Sequence, residues 1–112
     1  MKTTEQDFED FKAACEKWRY ALGLINWRFY YRWCPLKKSQ AETEMDFEAR
    51  HLMIALNKGE VTETIAQLAK HEVIEGALLG VLRKMALEQN ARTEDVITEA
   101  HRITQTLVEV LK

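Results

Sequence analysis

The feature that most constrains the fold is a long proline-free segment that begins at Thr62. Apolar residues recur in it at helical spacing through Met85 and Leu87. Thr62 is the predicted N-cap, with Glu63 in the first turn. Between Val73 and Met85 the helix is apolar nearly all round, which is typical of a helix buried on several sides. The chain is therefore expected to fold around one long central helix.

Two further helices are predicted, one near each end of the chain. The first begins at Thr4 with an acidic first turn and ends near Gly23. The last follows a break at residues 90–92 and is capped by Thr93. Their predicted core stripes are Phe8, Phe11, Cys15, Trp18 and Leu22 in the first helix, and Val96, Ala100, Ile103, Leu107 and Leu111 in the last. Both helices are amphipathic and should pack on a shared core.

The middle third of the chain changes to a period of two, which is typical of half-buried strands. Alternating apolar residues run from Ile25 to Trp33, and a second alternating stretch runs from Glu42 to Ala49. A third strand, His51 to Leu56, has Leu52, Ile54 and Leu56 on one face and a turn sequence after it at residues 57–59. We expect a small three-stranded antiparallel sheet from these patterns.

The element order α-β-β-β-α-α predicts an α+β fold in which a small sheet packs on helices. With 112 residues, of which 46% are hydrophobic, the chain is expected to form a single domain over residues 1–112. Sixteen basic and eighteen acidic residues leave a formal charge of −2, so no overall basic balance indicates a nucleic-acid partner. Cys15 and Cys34 are far apart, which argues against a zinc ribbon or a disulfide framework and predicts two buried thiols.

The N-terminal residues are too acidic and polar for a secretory signal, and no apolar run has the length of a membrane span. A cytoplasmic protein without a membrane partner is the expectation. A short apolar domain with a small sheet is also a candidate for homo-oligomerisation.

Two ionisable residues interrupt the apolar stripe of the central helix. Spacing at 100° per residue places His71 and Glu75 in the same sector as Leu68, Leu78, Leu79 and Leu82. A buried carboxylate without a partner costs several kcal/mol, and a divalent cation or a close ion pair removes that cost. Since residues i and i+4 lie side by side on a helix, His71 and Glu75 can offer two ligands to one metal.

Glu72 stands where HExxH metalloproteases carry the general base that takes a proton from metal-bound water. In this chain Glu75 replaces the second histidine of that motif. A catalytic zinc usually has three protein ligands, so a third must come from another element. His101 on the last helix is the best candidate, because antiparallel packing would bring it against the central helix. Glu99 and His51 are the alternatives.

Together, several segments resemble small phage- and prophage-encoded metallopeptidases of the zincin-like class. The segments are Leu22-Gly23-Leu24 followed by Trp27, the strands ending in Ile54-Ala55-Leu56-Asn57, the helix Leu68-Ala69-Lys70-His71-Glu72-Val73-Ile74-Glu75, and Glu99-Ala100-His101-Arg102. The resemblance implies a zincin-like fold, His71 and Glu75 as zinc ligands and Glu72 as base, and it favours His101 as third ligand. At Glu75 the chain departs from the usual histidine, and a carboxylate suits harder cations than zinc.

Other interpretations of these residues need no metal. Lys70 or Arg83 could pair with Glu75, and His71 could be a hydrogen-bonded core histidine. A helix-face histidine such as His101 is more often structural than a ligand.

The aromatic residues between Trp27 and Trp33, interleaved with Arg28 and Arg32, are of the kind that single-stranded nucleic-acid surfaces use. Their period of two, however, sends most of the aromatics to the core side. The two arginines are then predicted to pair across strands with acidic residues, namely Glu42, Glu44, Asp46 or Glu48.

The first hypothesis is therefore a metal-dependent hydrolase of the metallopeptidase type, with zinc as cofactor and a peptide or protein as substrate. The second is a non-catalytic phage accessory or interaction protein that keeps the same fold. A nucleic-acid-binding protein is the third.

Overall fold

The computed structural model describes residues 1–46, 48–89 and 93–110. Its elements follow the predicted order: α1 Glu5–Ala21, β1 Arg28–Cys34, β2 Ala41–Asp46, β3 His51–Asn57, α2 Ile65–Gln89 and α3 Thr93–Val110. The α+β class is thus confirmed. Among the predicted features, Phe47 of the second strand, the break at residues 90–92 and Leu111 lie outside the described residues.

The sheet is mixed, so the prediction of an antiparallel sheet was wrong. β3 lies in the centre, with β1 parallel to it on one side and β2 antiparallel to it on the other. Consecutive strands usually lie beside each other. Here β3 is the most apolar strand, and its inward residues Leu52, Ile54 and Leu56 are at most 1% exposed. A central position buries that strand better than an edge would.

The connection between β1 and β2 is tied to the end of β3 by Asn57. Its side-chain oxygen accepts a hydrogen bond from the Leu36 amide at 3.1 Å, and its side-chain nitrogen donates to the Ser39 carbonyl at 3.1 Å. Asn57 is only 9% exposed, and these bonds satisfy its amide. These bonds hold the connection between β1 and β2 against the end of β3. The chain crosses β3 there, and β2 pairs with the edge of β3 opposite to β1.

The two faces of the sheet differ as the period of two predicts. Phe29, Tyr31 and Trp33 of β1 pack against the core, whereas Arg28 and Arg32 are exposed on the other face. The predicted pairing of these arginines with acidic residues of the neighbouring strand was wrong, because β3 lies between β1 and β2. In register, the arginines lie opposite His51 and Ala55 of β3.

The ends of α1 agree with the sequence prediction. The Thr4 hydroxyl accepts a bond from the Asp7 amide at 3.2 Å, and the Asp7 carboxylate accepts one from the Thr4 amide at 2.9 Å. Helix α1 ends before Gly23, whose φ of 71° lies in the left-handed region that glycine adopts without strain.

The start of α2 differs from the prediction. The cap is Thr64, whose hydroxyl accepts a bond from the Gln67 amide at 3.2 Å. The amide of Thr62, the predicted cap, instead donates to the side-chain oxygen of Gln40 at 2.6 Å. A threonine two residues later therefore starts the helix.

The core lies between the sheet and helices α1 and α2, and α3 packs on α2. Phe11 and Cys15 of α1 and Val73 of α2 are fully buried in it. Cys34 is half-buried, so the prediction of two buried thiols holds fully only for Cys15. Among the described helices, none combines the length and the hydrophobicity that crossing a bilayer requires.

Candidate metal centre

The site begins on the face of α2 that turns toward α3. His71 and Glu75 are one helical turn apart, and His71 Nε2 lies 3.2 Å from Glu75 Oε2. Their side chains are 22% and 16% exposed, so water reaches both groups only partly. The i, i+4 spacing in the sequence produces this contact by itself, because such residues are neighbours on a helix.

Helix α3 brings His101 to the same place. His101 Nδ1 lies 3.3 Å from Glu75 Oε1, and the His71 and His101 rings meet edge to face with centroids 5.4 Å apart. The packing of α3 on α2 that allows this approach is close, since Ala100 and Thr104 are fully buried. Antiparallel packing of the two helices thus places His101 against α2, as expected from the sequence.

Of the two other candidates for a third ligand, His51 has a described side chain, and it is not at this site. His51 lies on β3, where its ring contacts Tyr30 with centroids 5.1 Å apart. The side chain of Glu99 lies outside the part of the chain that the structure describes. Among the candidates whose side chains are described, His101 is the one that meets His71 and Glu75.

The competing ion pair between Lys70 and Glu75 is absent from the described contacts. Lys70 Nζ donates to the Val108 carbonyl near the end of α3 at 2.8 Å and lies 5.7 Å from the centre of the Trp18 ring. The Arg83 side chain lies outside the described residues. The carboxylate of Glu75 is therefore shared by the two histidines.

The arrangement of His71, Glu75 and His101 fits a metal ion. Each residue offers one ligand atom, and the three atoms lie within 4.8 Å of one another. Zinc–ligand bonds of 2.0–2.1 Å in a tetrahedral site would separate neighbouring ligand atoms by about 3.3 Å. His71 Nε2 lies 3.2 Å from Glu75 Oε2 and His101 Nδ1 lies 3.3 Å from Glu75 Oε1, so each histidine is at about that separation from one of the two carboxylate oxygens. Two imidazoles and one carboxylate are also a donor set that catalytic zinc sites use.

The pKa values of His71 and Glu75 are shifted by the contact between the two side chains. The hydrogen bond to Glu75 raises the pKa of His71 above its ordinary value, against the opposing effect of burial. Burial tends to raise the pKa of Glu75, but its hydrogen bonds and charge interactions with His71 and His101 hold that pKa below the ordinary value. A metal ion would replace the proton of His71, since only a neutral imidazole is a ligand.

Glu72 lies beside this cluster but is held differently. It is 5% exposed, and its Oε2 accepts a hydrogen bond from the Thr43 hydroxyl of β2. Burial, further supported by the charges of Glu75 and Glu42, raises its pKa to about 7, although the Thr43 bond and His71 act in the opposite direction. A buried carboxylate with one fixed oxygen and an elevated proton affinity has the properties of a general base.

All four residues line one cleft of about 890 Å³ between β2 and the two last helices. Glu42, Glu44 and Glu63 also border it, although the side chains of Glu42 and Glu44 leave β2 on the face opposite to that of Thr43. The charge of Glu63 also reaches the cluster. It helps to raise the pKa of His71, although less than the Glu75 hydrogen bond does. The cleft is large enough to admit a segment of peptide.

Two residues that contact the site, Thr43 and Gln105, were not predicted from the sequence. Thr43 was predicted only to lie in the second alternating strand, and nothing in its local pattern connects it with Glu72. Gln105, whose side-chain nitrogen lies 3.1 Å from His101 Nε2, is four residues after His101 on α3. The same i, i+4 rule that linked His71 with Glu75 could have found that contact.

Comparison with known proteins identifies no relative of this chain: no protein-family model matches it, and neither a curated protein nor a solved structure does.

Proposed function

We propose that this chain is a small metal-dependent hydrolase of the metallopeptidase type, with zinc as its metal and a peptide or protein as its substrate. The observation that carries the proposal is the meeting of His71, Glu75 and His101 beside the buried carboxylate of Glu72. The resemblance to phage- and prophage-encoded zincin-like proteins, drawn from the sequence motifs, leads to the same residues.

Each residue has a distinct role in this proposal. His71, Glu75 and His101 hold the ion, which when bound supplies Lewis acidity that activates water and polarises a carbonyl. Glu72 accepts the proton of the attacking water and returns it to the leaving amine. Thr43 orients the Glu72 carboxylate through its hydroxyl. Gln105 and Glu75 orient the His101 ring by contacting its two nitrogens.

The first experiment measures metal binding. Protein purified without chelator should contain zinc by elemental analysis, and zinc should raise the unfolding temperature of chelated protein. His101→Ala should weaken zinc binding about 100-fold or more, since losing a direct ligand should cost at least as much as losing an outer-shell partner. His51→Ala is the matched control, because His51 lies on β3 against Tyr30, and it should bind zinc like the wild type.

Two results would contradict a zinc site. One is equal zinc affinity of His101→Ala and the wild type. The other is recovery of iron in place of zinc, because two histidines and one carboxylate also hold iron(II) in oxygenases.

The second experiment separates catalysis from metal binding. With denatured casein as the probe substrate, Glu72→Gln should lower hydrolysis by about 100-fold or more while zinc binding is retained. Unchanged hydrolysis in this variant would remove Glu72 from the mechanism.

A second candidate function is a non-catalytic accessory or interaction protein with the same fold. It is favoured by the contacts of Glu75, whose two carboxylate oxygens each bond one of the histidines. In that case the cluster links α2 to α3 and has no chemical role. Zinc binding without any hydrolysis by the wild type would support this candidate.

A further inference from the structure

One face of the sheet is left uncovered by the described helices. The helices pack on the face formed by Leu52, Ile54 and Leu56, so the residues that alternate with these three point away from the core. The side chains of this open face form three rows across the sheet: Arg28, His51 and Asp46; Tyr30, Met53 and Glu44; and Arg32, Ala55 and Glu42. Its charged residues on β1 and β2 are exposed, and Tyr30 is 40% exposed.

The charges of the open face are sorted by strand. Its basic residues on β1 are Arg28 and Arg32. Its acidic residues on β2 are Glu42, Glu44 and Asp46. Because β3 lies between these strands, the two rows of charge are about 10 Å apart, and within the part of the chain that the structure describes none of the five residues forms an ion pair. The open face therefore has a basic edge and an acidic edge.

The middle of the open face is less polar than its edges. Met53 and Ala55 of β3 lie there, and the Tyr30 ring contacts the His51 ring edge to face with centroids 5.1 Å apart. Protein–protein interfaces commonly combine an apolar and aromatic centre with a polar rim. The open face has this arrangement on a small scale.

A second copy of the chain matches the charges of the open face in one aligned orientation. When two such sheets stack face to face, a two-fold axis along β3 places β1 of each copy over β2 of the other. Rotation about the strand direction keeps each residue at its position along the strand, so every row meets the same row of the second copy. Arg28 then faces the partner's Asp46, and Arg32 faces the partner's Glu42.

The other aligned orientation has its two-fold axis across the strands. It would place β1 over β1 and β2 over β2, so that like charges meet. Stacked sheets lie about 10 Å apart, a gap that the long side chains of an arginine and a glutamate can bridge together. Charge complementarity thus favours the axis along β3.

We propose that the open face is the interface of a two-fold dimer of this chain, in which β1 of each copy covers β2 of the other. The inference does not depend on the proposed function, since Thr43 points from the opposite face of β2 toward Glu72 and the metal centre. A face of three strands, about 14 Å by 20 Å, is smaller than a standard interface. The dimer should therefore be weak, with a dissociation constant of about 100 µM.

The first test is sedimentation equilibrium of the full chain at a series of concentrations around about 100 µM. The wild type should change from monomer to dimer over this series. Added salt should shift it toward monomer, because ion pairs at the edge of an interface are screened. A wild type that stays monomeric throughout, or an association that salt strengthens, would overturn the inference.

The second test reverses charges across the interface. Arg32→Glu alone and Glu42→Arg alone should each weaken the dimer about tenfold or more, since each variant brings like charges together. An equimolar mixture of the two variants should associate again, because opposite charges then meet at both contacts. Lys17→Glu makes the same change on an exposed part of α1 and should associate like the wild type.

Three outcomes of the second test would contradict the proposed interface. Association of both reversal variants equal to that of the wild type would mean that another surface forms the dimer. A mixture that associates no better than its components would exclude the axis along β3. An equal loss in Lys17→Glu would assign the effect to net charge. Circular dichroism checks that each variant is folded, and Arg28→Glu with Asp46→Arg provides a second pair for the same mixing experiment if one variant of the first pair does not fold.

Discussion

The two halves of α2 show opposite relations between side-chain chemistry and burial. In the first half, the charged residues Lys70 and Glu72 are 7% and 5% exposed. In the second half, the apolar Val81 is 59% exposed and Leu82 is only partly buried. The sequence predicted burial from Val73 to Met85, which holds at Val73 but was wrong at Val81. The segment is almost uniformly hydrophobic, so its sequence does not indicate where the elements that cover α2 end.

The buried charges of the first half are retained because each has a fixed partner. Lys70 donates to the Val108 carbonyl, and the carboxylate of Glu72 accepts from Thr43. Burying an ionisable group still costs free energy relative to an apolar residue of similar size. Local rules of stability are most often violated at functional sites, and the first half of α2 carries the candidate metal centre.

The largest expected effect is the pH dependence caused by Glu72. Its pKa is about 7 in the folded chain and near the ordinary 4.5 in the unfolded chain. Between these values the folded chain binds more protons, so the free energy of unfolding falls as pH rises. In chelator, the free energy of unfolding of Glu72→Gln minus that of the wild type should therefore rise by about 3 kcal/mol between pH 4.5 and pH 8. Urea unfolding at a series of pH values measures this difference.

The variant should keep the smaller part of the pH dependence that comes from His71. The His71 pKa is raised by Glu75, so its contribution is present at low pH and is lost as pH rises through the folded pKa. A constant difference between Glu72→Gln and the wild type across this pH range would show that burial does not control Glu72.

The difference in burial between the two halves of α2 can also be tested by making the same substitution, valine to alanine, once in each half. Val73→Ala should lower the free energy of unfolding by about 2 kcal/mol, because Val73 is fully buried and the change leaves a cavity. Val81→Ala removes the same atoms from an exposed site and should change stability by less than about 0.5 kcal/mol. Equal losses in chemical denaturation would mean that a partner covers Val81 in solution.

The hydrogen bond that makes burial of Glu72 tolerable predicts the next effect. Thr43→Val keeps the shape of the side chain but removes the donor, so it should cost about 1–2 kcal/mol at pH 8, where Glu72 is ionised. Thr43→Ser retains a hydroxyl and should recover part of that loss. If the valine and serine variants unfold at the same urea concentration, the hydroxyl does not support the carboxylate.

The smallest effects concern two glycines, one in each half of α2. A Cβ at Gly76 would lie 2.6 Å from Leu52 Cδ2 in the core, whereas one at Gly80 would lie 3.7 Å from the Trp27 ring. Gly76→Ala should lower the free energy of unfolding by about 1 kcal/mol, since overpacking outweighs the gain in helix propensity. Gly80→Ala should raise it by about 0.5–1 kcal/mol. Thermal unfolding of both variants would show opposite shifts, and stabilisation of both would contradict the close packing at Leu52.

Much of the candidate site follows from local sequence. The contact of His71 with Glu75 depends only on helix geometry, and the approach of His101 needed one further assumption, that α3 packs antiparallel on α2. The support of Glu72 by Thr43 could not be inferred in this way. The two lie 29 positions apart in the chain, and their contact depends on which edge of the sheet β2 occupies.

The sequence by itself determined the order of the helices and strands, the inward and outward faces of β1 and β3, and the contact of His71 with Glu75 within α2. These properties depend on neighbours within one or two turns, where periodicity and capping act. Only the tertiary structure decided that β3 lies between β1 and β2, that Thr43 meets Glu72, and that Val81 is left exposed. Such contacts depend on how elements far apart in the chain cover one another, and the same local patterns are compatible with more than one arrangement.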